Sequence, residues 1–115
     1  MYAIAFDLDQ EALRNHYPGA NPNNAYGDIA RVLTERGFWR QQGSVYFSNN
    51  PNPVQCFLAI QDVQAKHPWF RAVVRDMRML RIEENNDLLP ILGQSELPLG
   101  RPPRKRPDVG EFKLN

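Results

Sequence analysis

One cysteine, Cys56, is all the chain holds in 115 residues. A lone thiol excludes an internal disulfide and fits a reducing compartment. No apolar run approaches the roughly 20 residues that span a bilayer. The opening MYAIAFDLDQ has neither the basic region nor the small-residue cleavage site of a signal peptide. We therefore expect a cytoplasmic protein with no membrane partner. Surplus charge is missing too: 14 basic and 13 acidic residues leave a net +1, so no global field calls for nucleic acid. Internal repeats are absent, and the length suits one core rather than two. What is present is ordinary for a folded domain, with 42% apolar and 23% charged residues. The charge is unevenly spread. Between Lys66 and Arg81 five basic residues stand against the single acid Asp76, and between Arg101 and Arg106 four of six are basic.

The hydrophobic pattern predicts a strand over residues 2–8, with Tyr2, Ile4, Phe6 and Leu8 on one face and Ala3, Ala5 and Asp7 on the other. The Asn, Pro and Gly content of 15–24 predicts a loop. A helix follows from about Ala25 to Arg36, capped by Asn23 or Asn24 and stopped by Gly37. Its stripe is Tyr26, Ile29, Ala30 and Leu33. Two short strands flank Gln42-Gly43, with Val45 and Phe47 on one face and Ser44 and Tyr46 on the other. A second helix runs from about Pro53 to Lys66, burying Val54, Phe57, Ile60 and Val63. HPWF breaks it, and VVRDMRMLRIE (73–83) is a last strand with apolar residues on both faces. The order strand, helix, strand, strand, helix, strand predicts an α+β protein. Its fold would be the ferredoxin-like βαββαβ sandwich, a four-stranded antiparallel sheet with two helices on one face. The domain spans 1–93, and 94–115 is a Pro-rich basic tail. The bare sheet face, with Ala3, Ala5, Ser44 and Tyr46, suits a homodimer packed sheet to sheet.

Two carboxylates, Asp7 and Asp9, stand where the first strand leaves the sheet. FDLD resembles the first motif of the haloacid-dehalogenase phosphatases, but Gln10 and Glu11 replace the Gly and Thr that follow there. The doubly wound domain of that family also needs more chain. A dimer axis near the strand end would instead bring two Asp7 side chains together. Carboxylates 4 Å apart repel by about 4 kcal/mol at an effective dielectric of 20. Such a pair shares a proton, stands apart or holds a cation such as Mg2+, which suits phosphodiester chemistry. Arg75 and Arg78 would bind flanking phosphates. The plain alternative is that Asp7 accepts hydrogen bonds from loop amides.

MYAIAFDL at the start, AYGDI on the first long helix, QGSVYF at the hairpin and WFRAVVRDMRMLRIEE on the last strand go further. Through residues 1–90 the chain resembles the virulence-associated protein D (VapD) family of toxin-type ribonucleases. The resemblance implies a ferredoxin-like homodimer related in fold to the small nuclease of CRISPR adaptation. It also implies an endoribonuclease that cuts single-stranded or messenger RNA and is opposed by a small antitoxin protein. It points to Asp7 as the catalytic residue, which the dimer argument makes the metal-holding residue as well, with Ser44 and Asp76 as further catalytic candidates, and gives Asp9 no role. Arg75, Arg78 and Tyr46 are the expected substrate contacts; His16, in the loop after the strand, could reach the cleft as an acid or base but is expected simply to be exposed. Against this stands a non-catalytic reading, in which the same dimer is a nucleic-acid binding or scaffold module using its basic segments.

Overall fold

Chain order alone gives the sheet its frame. A computed structural model describes residues 1–93. Strands β1 (Tyr2–Leu8), β2 (Trp39–Gln42), β3 (Val45–Ser48) and β4 (Val74–Arg81) form one sheet in the order β2-β3-β1-β4, every pair antiparallel. Helices α2 (Asn24–Glu35) and α3 (Val54–Lys66) occupy the two crossovers. This is the ferredoxin-like arrangement expected from the sequence. Met1–Ile82 form one compact unit, and a second begins at Glu83, where Leu89–Ile91 make a single 3-10 turn. The expected basic tail, 94–115, lies outside the described residues. No helix among the described residues is long and apolar enough to cross a membrane.

Ile4, Phe6 and Leu8 of β1 turn to the same side as the buried faces of the helices. With Ile29, Val32, Leu33, Ala59, Val63 and Val73 they form one core. Two short helices join it that the sequence pattern did not resolve. α1 (Gln10–His16) shortens the expected 15–24 loop, burying Leu13, and α4 (Phe70–Val73) buries Phe70 and Val73. α2 ends in a Schellman motif. Phe38 N–H donates to Leu33 O at 3.0 Å and Gly37 N–H to Thr34 O at 3.0 Å, with Gly37 at φ +89°.

Two expectations are corrected. Ile4 pairs with Tyr46 and Ala3 with Phe47, so Tyr46 faces the helices, while Val45 and Phe47 share the bare face with Ala3 and Ala5. Alternation within a hairpin fixes which residues go together but not which side they take. That is decided by register with β1. Tyr46 is buried and stacks on Phe6 with ring centroids 6.1 Å apart. The second correction is in α3, where Cys56, Ala59 and Val63 are buried while Val54 and Phe57 are exposed. VQCFLAI is apolar on almost every side, so periodicity cannot select a face. The small Cys56 and Ala59 are what let the helix approach the sheet.

Burial pushes the Cys56 thiol up, so it stays protonated at neutral pH. The native thiol is therefore expected to react with a disulfide reagent far more slowly than in urea. Equal rates in a stopped-flow comparison would contradict the packing of α3.

Candidate active site at the end of the first strand

The alternation that sends Phe6 and Leu8 into the core sends Asp7 to the bare face. There it lies opposite Asp76 of β4 in the ladder. Two like charges facing across a ladder are unfavourable, and the structure compensates each with an arginine. Register shifts between Asp7 and Leu8, where Leu8 pairs with Val74, so Arg75 is the extra residue of a bulge. That bulge lets Arg75 reach Asp7 from a position strict alternation would send the other way. Its Nη2 and Nε both donate to Asp7 Oδ2, at 2.6 and 3.1 Å. The hydrogen bond to Asp7, and then its charge, raise the pKa of the Arg75 guanidinium. Arg78, two residues from Asp76 on the same face, donates from Nε to both of its oxygens at 3.2 Å. Four exposed side chains of alternating sign thus lie together: Arg75, Asp7, Asp76, Arg78.

Of the candidates named from sequence, Asp7, Asp76, Arg75 and Arg78 are brought together. Ser44 is at the same end of the sheet, in the turn behind Gly43, where its carbonyl takes the Phe6 N–H at 3.1 Å. Tyr46 is not on this face. Its phenol sits in the core, where burial raises its pKa and the Arg40 charge draws part of that shift back. His16 closes α1, exposed, and borders a shallow depression with Asp9 and Arg75. Sequence reasoning had no means of pairing Arg75 with Asp7, since a bulge leaves no mark in the alternation of VVRDMR.

Asp9 answers why the strand ends in two acids. Its N–H donates to Val73 O at 2.8 Å, and its Oδ1 accepts the Ala12 N–H at 2.8 Å, capping α1. One carboxylate is turned to solvent, and the other starts a helix.

A divalent cation such as Mg2+ wants an octahedral shell of oxygens. Asp7 commits Oδ2 to Arg75, and Asp76 commits both oxygens to Arg78. No group of three His, Cys, Asp or Glu among the described residues is placed to hold a metal. The donor set of one chain does not fit a resident Mg2+.

The chain is 48% identical over 93 residues to Endoribonuclease VapD 2 of Riemerella anatipestifer, covering 80% of this chain and 99% of that protein. The chain belongs to the VapD family. Its identity to the Endoribonuclease VapD homolog of Helicobacter pylori is 43% over 93 residues, 80% of this chain and 96% of that one. For Endoribonuclease VapD of Dichelobacter nodosus it is 42% over 92 residues, 80% and 97%. No protein-family model matches the chain. As a VapD-family fold, the molecule places its charged quartet on the sheet face that the helices leave open.

The two acids are expected to separate in their effects. Asp9→Ala should destabilise by about 0.5–2 kcal/mol through loss of the cap, read as a lower urea midpoint. Asp7→Asn, at an exposed ion pair, should leave that midpoint nearly unchanged.

Proposed function

We propose that this chain is an endoribonuclease that cuts single-stranded RNA, with messenger RNA as its natural class of substrate. The observation that carries the proposal is the exposed quartet. A carboxylate and two guanidinium groups on an open face are the parts a phosphodiester needs. Both Arg75 donors converge on Asp7 Oδ2, so Oδ1 takes no hydrogen bond from Arg75. Oδ1 accepts the proton of the attacking hydroxyl as its oxygen bonds to phosphorus. The bond to the leaving ribose oxygen breaks, and that oxygen takes a proton from water. Arg75 and Arg78 hold the phosphate oxygens and offset the charge that develops on them. The names of the relatives support this reading of the reaction class.

The setting belongs to the proposal as well. A cytoplasmic homodimer joined through the bare face would seat Ala3, Ala5, Val45 and Phe47 against their copies. Leu80 and Trp39, 44% and 39% exposed, gain cover by it. A toxin of this kind is held in check by a small antitoxin protein. Light scattering of the purified protein should give twice the chain mass of 13.3 kDa, and a monomer at micromolar concentration would remove the dimer from the proposal.

Incubation with single-stranded RNA tests the reaction. Wild type should cleave, and Asp7→Asn should lose at least about a hundredfold in rate, within the range that positioned acid–base catalysis contributes. Cleavage should survive EDTA, as the arginine-paired donor set requires. Loss on chelation would instead assign a metal pooled from two copies of Asp7. Binding without cleavage in wild type would favour a scaffold, a reading that draws on the fact that both carboxylates are already neutralised.

A further inference from the structure

Behind the quartet, on the helix side of the sheet, lies a cleft of about 340 Å3 that the proposed reaction leaves unused. β1 contributes Phe6 to its lining, α2 contributes Tyr26 and Gly27, and the hairpin contributes Arg40, Ser44 and Tyr46. We infer that this cleft is a subsite for one unstacked nucleobase of the RNA whose phosphate lies at Asp7. The inference rests on the endoribonuclease reading and names the part of the substrate that reading leaves unplaced.

Three observations converge on it. The first is shape and surface. Phe6 and Tyr46 are buried behind the cleft and stacked on one another with their planes 12° apart, and the half-buried Tyr26 is the ring of the lining that an entering base can meet. Single-stranded RNA is read by splaying bases onto aromatic rings and arginine planes, with hydrogen bonds to the base edges.

The second is charge. Arg40 is the charged residue of the lining. Its Nε donates to Gly43 O at 2.7 Å, which anchors the guanidinium to the hairpin turn. Ser44, Tyr26 and Tyr46 share the lining with it, and Tyr26 Oη already accepts from Gln10 Nε2 at 2.8 Å. A cation fixed in the lining suits the carbonyl and ring-nitrogen acceptors of a base.

The third is Gly27. Its φ is not in the left-handed region, and a Cβ built there would meet no atom within 4 Å. Neither the backbone nor the packing requires glycine, and glycine inside a helix lowers stability. What Gly27 supplies is open space beside the cleft.

The position suits a nucleotide as well. Phe6 in the cleft and Asp7 on the opposite face are consecutive residues at the end of β1, so an RNA strand would reach both by passing round the end of the sheet. Ser44 lies in the turn at that end of the sheet, bonded through its carbonyl to Phe6.

Gly27→Phe fills the space without straining the helix, and Arg40→Gln removes the cation while leaving α2 untouched. Each is compared with wild type on a single-stranded RNA oligonucleotide and on copies carrying one abasic ribose at each position flanking the cut. Both variants should raise KM about tenfold or more with little change in kcat, as loss of one stacked base implies. Removal of the base at one position should raise the wild-type KM equally and leave the variants unaffected. Titration of wild type with a nucleoside 5′-monophosphate should move the amide resonances of Gly27 and Ser44, and in Gly27→Phe the Ser44 resonance should not move. Cleavage indifferent to both substitutions and to every abasic position would overturn the subsite and leave the endoribonuclease standing. Resonance shifts at Gly27 with RNA left intact by wild type would keep nucleotide binding and overturn the cleavage reading instead.

Discussion

β1 is paired on both edges and buried on one face, and those two facts leave its side chains no freedom. Ile4, Phe6 and Leu8 must meet the helices, because a slip of one residue would put them in water and drive Asp7 into the core. An unpaired carboxylate inside costs several kcal/mol, of the order of the whole stability of a small domain. The outward aim of Asp7 therefore follows from the burial of its two neighbours. It needs no device of its own, and the face it takes is the one the helices do not cover.

The bulge in β4 then completes what alternation alone would leave half made. A regular ladder would carry Arg78 to the open face and Arg75 to the covered one, so Asp7 would face Asp76 with one counter-charge between them. The extra residue shifts Arg75 and supplies the second. Exposed ion pairs contribute little to stability, so the quartet is not what holds the fold together. Its two acids oppose one another at a ladder position where a neutral pair would cost less. Local arrangements that run against stability gather at sites of function.

Most of the frame could be read from the residues. Strand alternation in AIAFDL, the Gly37 stop and the helical spacing of Ile29 and Leu33 each state their structure through a strong local rule, and their order gave the sheet its topology. The sequence was silent where two rules tied. SVYF alternates equally well with either face inward, and only pairing with β1 sends Tyr46 to the core. VQCFLAI offers an apolar face in every direction, so the buried one depends on the sheet it meets. The candidate site was legible to the same degree. Asp7, Asp76 and Arg78 follow from alternation and register, whereas Arg75 depends on a bulge and Gly27 on an empty volume, neither of which is written in residue type.

The neutralised state of the quartet bears on how such a site would work. Arg75 and Arg78 have the carboxylates as partners in the free protein, and a phosphodiester offers both arginines a competing set of oxygens with bidentate geometry. As a phosphate draws the guanidinium groups toward itself, Asp7 and Asp76 would face one another across the ladder with less compensation. Such an exchange of partners needs access for the phosphate, and Arg75 and Arg78 are 62% and 69% exposed in their side chains. Their exposure, which makes the ion pairs weak contributors to folding, is also what leaves them free to change partners.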